Sequence, residues 1–313
     1  MLTIIQQSAL NTNRFAHMIV NNKAQKVIVS SGNDGQRLDN FLMAAIKNTP
    51  RSHVYKLIRT GQVRVNSSRS KPSTRLKVND IVRIPPFRAS EELKPEISDE
   101  MIQKTLEGII YEDESVMVFN KPASLAVHSG TNIGYGLIDV LRLVKSECER
   151  IDLLHRLDKD TSGCIIITKT LFALRELQKQ MVNNLLDKKY ICLVDGLWDK
   201  KIKTSEVQLT RNNKTNNAIS KFKVLDYFEN STLLEVNIIT GRYHQIRKHC
   251  AILEHPIIGD EKYGDFTINK VYKKNGLSRI FLHASSVSFN LDKKNNISCP
   301  IPKDLEKFLK FHR

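Results

Sequence analysis

HRLDKDTSG, residues 155–163, runs without a break into CIIIT, residues 164–168. The second piece is apolar and β-branched over the length of a strand, so it reads as a buried strand. The first is a turn-rich run that sets an Arg-Leu-Asp and a Thr-Ser-Gly on the lip of that strand. Taken alone, it fits an ordinary surface turn in which Asp160 or Ser162 bonds its own backbone. A strand end is also where a rigid scaffold presents side chains to a cleft. The rest of the chain decides between the two.

Around this stretch, from about Leu106 onward, strand-like runs at 116–119, 164–168, 190–194 and 232–239 alternate with helical ones at 137–145, 171–182 and 243–253. Strands outnumber helices, which predicts an α+β domain with a mixed sheet rather than a doubly wound one. Lysine- and asparagine-rich stretches such as residues 211–217 read as polar surface loops.

The 313 residues suffice for two domains, and 41% hydrophobic content excludes a disordered chain. A formal net charge of +16 points to a polyanionic partner, nucleic acid before membrane. The apolar runs are strand-length, well short of the roughly 20 residues that span a bilayer. The first twenty residues lack the pattern of a secretory signal, so a cytoplasmic location is expected. Cys148, Cys164, Cys192, Cys250 and Cys299 are scattered with no C-x-x-C pair, against a disulfide framework or zinc site. His244, His249 and His255 lie close in sequence but have no matching ligand group, so no metal is expected. The glycines of GTNIGYG, residues 130–136, lack the Lys-Ser/Thr of a phosphate loop, and no G-x-G-x-x-G is present. No nucleotide cofactor, and no cofactor of any kind, is expected.

Charge is concentrated near the N-terminus. Residues 34–88 hold twelve Lys and Arg against three Asp. Leu38, Phe41, Leu42, Ala45 and Ile46 recur with helical spacing. Thr49-Pro50 then opens a second helix, RSHVYKLIR, with Val54, Leu57 and Ile58 inward and Arg51, Lys56 and Arg59 outward. VRVN and IVRIP, separated by the basic loop 67–77, read as a hairpin. QRLDNFL, RSHVYKLIRTGQVRVN and VNDIVRIPP together resemble the S4 RNA-binding domain. That resemblance implies RNA contacts from Arg51, Lys56, Arg59, Arg64, Arg69 and Lys71. The expected organisation is an N-terminal tail (1–33), this basic domain (34–88), a linker rich in acids (89–105) and a larger domain (106–313).

Three further pieces fall in the larger domain. NKPASLAVHSG (120–130) leaves a strand with a lysine and a histidine, KKYICLV (188–194) opens a strand at Tyr190, and TGRYHQIRKH (240–249) leaves a strand and enters a helix. HRLDKDTSG, KKY and GRYHQIRKH together resemble the RluA family of pseudouridine synthases, from about Gly108 to Pro302, with GLSRIFLHA (276–284) adding to the match. The resemblance implies a mixed-sheet catalytic domain with a central active-site cleft, and isomerisation of uridine to pseudouridine in RNA, with 23S ribosomal RNA or its large-subunit precursor as partner. It maps the catalytic aspartate onto Asp158, the motif tyrosine onto Tyr190 and the arginine partner of the aspartate onto Arg247. Ser124 stands where the family usually has glycine, and Tyr243 where it has threonine.

The chemistry suits these residue types. The isomerisation breaks the N1–C1′ bond, turns the uracil and rejoins it through C5, with no redox change. One carboxylate can act as nucleophile at sugar C1′ or ring C6 and split the exchange into two steps. An adjacent guanidinium favours the charged form of such a carboxylate. The uridine must be flipped out of its helix. Tyr190 offers a flat face to stack on it and a phenol for proton removal at C5, and Arg156 can fill the vacated stack or bind a phosphate. A glycosidase would need a second facing carboxylate, and a methyltransferase a glycine-rich cofactor loop. The competing expectation is an inactive RNA-binding or ribosome-assembly protein, against which the intact trio Asp158, Tyr190 and Arg247 argues. A monomer is expected.

Overall fold

The computed structural model describes residues 24–46, 49, 51–86, 97–127, 135–148, 150–211 and 213–312. It divides into two compact units, one of residues 1–96 with 145–149 and one of 97–144 with 150–313. The expected tail up to residue 23, Pro50, Arg88, residues 89–96 of the linker, and 130–134 of the glycine loop lie outside the described residues.

The first unit runs β1 (Gln25–Ile28), α1 (Leu38–Ala45), α2 (Arg51–Arg59), β2 (Arg64–Val65) and β3 (Ile81–Ile84), with sheet order β1-β3-β2. β1 falls in the stretch expected as tail; it alternates half-buried and exposed residues and pairs antiparallel with β3. The predicted helix faces form the core, Leu38, Phe41 and Leu42 packing with Val54, Leu57 and Ile58. One buried carboxylate ties the helices together. Asp39 accepts two bonds from Arg37, at 3.1 and 2.7 Å, and a third from the Tyr55 hydroxyl at 2.8 Å. The Arg37 guanidinium is the main cause holding Asp39 down to about 2.

In chain order the second unit contains α3 (Asp99–Glu107), β4 (Ile109–Glu112), β5 (Val116–Lys121), α4 (Leu137–Val144), β6 (Asp152–Leu153) and β7 (Ser162–Thr168). Then follow α5 (Leu171–Val182), β8 (Asp187–Asp195), β9 (Thr204–Arg211), β10 (Lys214–Phe228) and β11 (Ser231–Ile238). It closes with α6 (Gln245–Ile252), α7 (Phe266–Lys274), β12 (Leu282–Leu291), β13 (Lys293–Ser298) and α8 (Lys303–Phe311). The sheet order is β4-β5-β7-β12-β8-β11-β10-β9, with β6 on β7 and β13 on β12. This is the mixed α+β sheet that the strand-rich pattern predicts. Two stretches read as irregular are regular. Helix α3 begins within the expected linker because Ser98 caps it by accepting the Met101 N–H at 3.3 Å, and Asp99 and Glu100 sit favourably at its positive end. Residues 211 and 213–217 belong to the β9–β10 hairpin, whose outer part is so exposed that no apolar alternation marks it.

Strand β7 organises the unit. All seven of its residues are buried, with β5 antiparallel on one side and β12 parallel on the other. Cys164 and Ile166 pack against Ala173 and Leu177 of α5, while a second cluster gathers Leu193, Phe281, Leu305 and Phe308. At the parallel crossing Gly163 lies opposite Ala284 with φ +112°, and a Cβ there would stand 2.1 Å from the Ala284 carbonyl oxygen. Beside it the Ser162 hydroxyl is 3.0 Å from His283 Nδ1, and His283 Nε2 is 3.3 Å from the Cys299 carbonyl. A carbonyl only accepts, so Nε2 carries the proton and Ser162 donates to Nδ1. Burial draws His283 down to about 4, which keeps the ring neutral. Thr-Ser-Gly is thus a buried register lock as well as the end of a turn: Ser162 bonds β12, not its own backbone.

Gly163→Ala is expected to destabilise the protein by about 3 kcal/mol, since it adds both a steric clash and a disfavoured φ. Urea unfolding checks this, and an unchanged midpoint would remove Gly163 from this role.

Candidate active site

Asp158 lies in the turn that feeds β7, and its carbonyl accepts the Thr161 N–H at 3.1 Å. The turn is held from below by Lys121 at the end of β5. Fully buried, Lys121 donates to the carbonyls of Pro122 (2.9 Å), Leu125 (3.2 Å) and Lys159 (2.8 Å). Burial pulls its ammonium down to about 8. Ser124 N–H also donates to the Lys159 carbonyl at 3.0 Å, from a backbone with φ 68°. That left-handed conformation explains why glycine suits this position, and serine holds it at a cost of roughly 1 kcal/mol.

The opposite wall is the loop between β11 and α6. Gln245 pins it: its amide nitrogen donates to the Ile219 carbonyl at 2.9 Å and Ser220 Oγ at 3.0 Å. Its amide oxygen accepts from Thr240 Oγ1 and the Arg242 N–H. His244 follows the turn with φ 54° and enters the cleft. Its Nδ1 is 3.1 Å from the Tyr263 hydroxyl and its Nε2 accepts from Arg247 Nη1 at 3.3 Å. Burial, opposed by Asp158, lowers the titration of His244, in keeping with a neutral ring.

Arg247 meets Asp158 at 3.7 Å, Nη1 to Oδ2, and His244 Nε2 stands 3.7 Å from the same oxygen. Its fork, however, belongs to another acid. Nε and Nη2 each donate to Asp260 at 2.7 Å, one to each carboxylate oxygen. Asp260 is buried and also accepts the N–H groups of Lys262 (2.9 Å) and Tyr263 (3.0 Å). These donors outweigh burial and hold its carboxyl below the usual range. The sequence reading gave Arg247 to Asp158 as a matched pair. In the structure the bidentate pair is Arg247–Asp260, and Asp158 faces the remaining nitrogen.

Tyr190, in β8, lines the same cleft as Asp158, with Leu157, Ile238 and Leu282. It is 7% exposed, and burial, reinforced by the Asp158 charge, pushes its phenol well above the ordinary range. Arg156 is exposed at the rim. In the first unit Lys56, Arg59, Arg69 and Lys71 line one shallow groove with Tyr55, and Arg51 Nη2 reaches the Tyr55 hydroxyl at 3.3 Å. Arg64 lies outside that lining and turns instead to the carbonyls of Gly61 and Ser67. Among the described residues no three His, Cys, Asp or Glu side chains converge as a metal site.

A mixed sheet that gathers an acid from the turn before β7, a buried tyrosine within β8 and a pinned arginine on α6 into a single cleft suits an RNA-modifying enzyme of the RNA pseudouridylate synthase family, and the chain belongs to that family. The family model matches residues 115–252, and an S4 domain matches residues 36–82. A ribosomal large subunit pseudouridine synthase C from Pasteurella multocida is 35% identical over 308 residues, covering 93% of this chain and 94% of the relative. One of the same name from Haemophilus influenzae is 38% identical over 285 residues, covering 87% and 88%. In fold, the human RNA pseudouridylate synthase domain containing 4 aligns at TM-score 0.57 and 23% identity, over 68% of this chain and 95% of that one.

Sequence reasoning missed Asp260 and gave Lys121 no task. The signals were faint: an Asp-Glu pair after the apolar run 256–258 and a glycine, and a lysine one residue beyond the apolar run VMVF. Asp260→Asn should leave Arg247 without its counter-charge, lowering uridine isomerisation at least tenfold and stability by about 3 kcal/mol. Tritium release from C5-labelled RNA, measured beside thermal unfolding, tests this; activity within twofold of wild type would show that Arg247 does not need the acid.

Proposed function

We propose that the protein isomerises uridines to pseudouridines in 23S ribosomal RNA or its large-subunit precursor, with Asp158 as nucleophile on a flipped-out uridine. The observation that carries this reading is the convergence of Asp158, Tyr190 and Arg247 on one cleft, with 3.7 Å between acid and guanidinium. The choice of RNA rests on relatives named for the ribosomal large subunit.

In this reading Arg247 supplies positive potential at one oxygen of Asp158 and leaves the carboxylate free to attack. The covalent link holds the sugar or the ring while the uracil turns, and C5 then replaces N1 at C1′. Tyr190 stacks against the turning base. Because its phenol is held protonated, it takes part in removing the C5 proton as a relay rather than as a free phenolate: it accepts that proton as its own passes to the Asp158 carboxylate, freed when the covalent link breaks. Arg156 occupies the space that the flipped nucleotide leaves, or holds its phosphate. The exchange is redox-neutral and consumes no second substrate, so it calls for no cofactor. The basic groove of the first unit grips RNA phosphates through Lys56, Arg59, Arg69 and Lys71, with Arg51 and Arg64 adding charge beside it. No described helix is long and apolar enough to cross a membrane; we place the enzyme in the cytoplasm, acting as a monomer.

Asp158→Asn changes one oxygen to nitrogen at nearly constant volume. Tritium release should fall by roughly a thousandfold or more, while circular dichroism and RNA affinity stay near wild type. Substantial release by this variant would return HRLDKDTSG to an ordinary turn.

Replacing Arg51, Lys56 and Arg59 together by Gln should weaken binding to a 23S transcript and flatten the plot of log affinity against log salt by about two to three. An unchanged slope would take the S4 groove out of phosphate binding.

A further inference from the structure

Beside the cleft lies a stack that the reaction itself does not use. The Tyr243 ring packs on the His244 ring, centroids 3.6 Å apart and planes 22° apart. The Arg211 guanidinium lies over Tyr243 at 3.9 Å. Two flat groups this close to one ring cannot share a face, so the order is His244, Tyr243, Arg211. The inner end is anchored in the site, with His244 Nε2 3.7 Å from Asp158. The outer end is an exposed guanidinium at the tip of the β9–β10 hairpin, lining the same cleft. That tip is braced by Thr210 Oγ1 and Thr215 Oγ1, 2.9 Å apart across the strands.

The charge around the stack is unbalanced. Lys262 Nζ and Lys248 Nζ stand 5.7 and 5.9 Å from the Tyr243 ring centroid, and Arg242, next in sequence, donates to the Asn217 carbonyl. Among the described residues none of Arg211, Arg242, Lys248 and Lys262 forms an ion pair with an acid. Three cations around one aromatic, with Arg242 next in sequence, repel each other, and an anion among them relieves that repulsion. A guanidinium is weakly hydrated on its faces and stacks on planar rings. A flat cationic end-plate ringed by unpaired cations suits a ligand with a planar ring and a phosphate together.

We propose that the Arg211–Tyr243–His244 stack is a binding subsite for one nucleotide flanking the target uridine, its base lying on the open face of Arg211 and its phosphate among Lys248, Lys262 and Arg242. This rests on the proposed function, since it takes RNA as the substrate in the cleft. Such a subsite bears on which uridines are chosen, because the flanking nucleotide must be unpaired or readily unstacked to reach it.

The test separates stacking from charge in the full chain. Binding to an unmodified 23S transcript and, as a base-free polyanion, to heparin is measured for Arg211→Gln, Arg211→Lys, Tyr243→Thr and Tyr243→Phe. Arg211→Gln and Tyr243→Thr should weaken RNA binding about tenfold. Tyr243→Phe should restore it, and Arg211→Lys should not, because a lysine keeps the charge but not the plate. In turnover the loss should appear mainly as a raised KM. Lys248→Gln and Lys262→Gln should each lower the salt slope by about one. The proposal is overturned if Arg211→Lys binds RNA like wild type, or if the Arg211→Gln and Tyr243→Thr losses are equal for heparin and RNA, since either marks a plain charge patch. It is likewise overturned if all four variants bind RNA as wild type does. Failure of the proposed function looks different: wild type would bind the transcript yet release no tritium from it, and the binding comparison would still stand.

Discussion

Two parallel hydrogen bonds from Arg247 to Asp260 set the electrostatics of the cleft. A guanidinium locked in a fork with the proposed nucleophile would occupy the lone pairs that the nucleophile needs. Here the fork is satisfied elsewhere, and a single Nη1 is left to face both His244 and Asp158. The carboxylate feels a positive field without being bound by it. Asp260 earns this arrangement by being over-determined itself, with two backbone N–H groups and two guanidinium nitrogens around one buried acid. Such a site is pre-organised: little has to move when charge shifts during reaction.

The sequence made some of this legible because its signals are local. The Leu38–Ala45 and Arg51–Arg59 faces follow from periodicity, and β7 from an unbroken β-branched run bounded by turn residues. HRLDKDTSG and GRYHQIRKH marked Asp158 and Arg247 through motif resemblance. What stayed hidden depends on contacts between distant segments. Asp260 sits in the loop after α6 and matters because Arg247 reaches back to it from the helix, and no spacing reports that. Lys121 clamps the Asp158 turn through the Lys159 carbonyl, 38 positions away. The outer part of the β9–β10 hairpin escaped because solvent-exposed strands lose the alternation that betrays half-buried ones.

The two units divide their charges by purpose. In the first, the basic side chains stand in solvent on a short helix and a loop, where long-range attraction is strong and geometry loose. In the second, Lys121 and Arg247 are withdrawn from water and spend their charge on named oxygen atoms. Asp39 shows that even the first unit keeps one such internal tie, through Arg37 and Tyr55.

The parallel pairing of β7 with β12 has a consequence for the order of assembly on the ribosome. Ser162 and His283 are 121 positions apart, so the strand that follows the Asp158 turn waits, half-paired, while β8 to β11 are made. Closing so long a loop is slow compared with local helix formation, and β7 is too apolar to stand exposed. A nascent chain therefore has its basic first unit available for folding long before its cleft is complete. The first unit is thus complete in sequence before the cleft is, and the last strands to emerge are the ones that close the site.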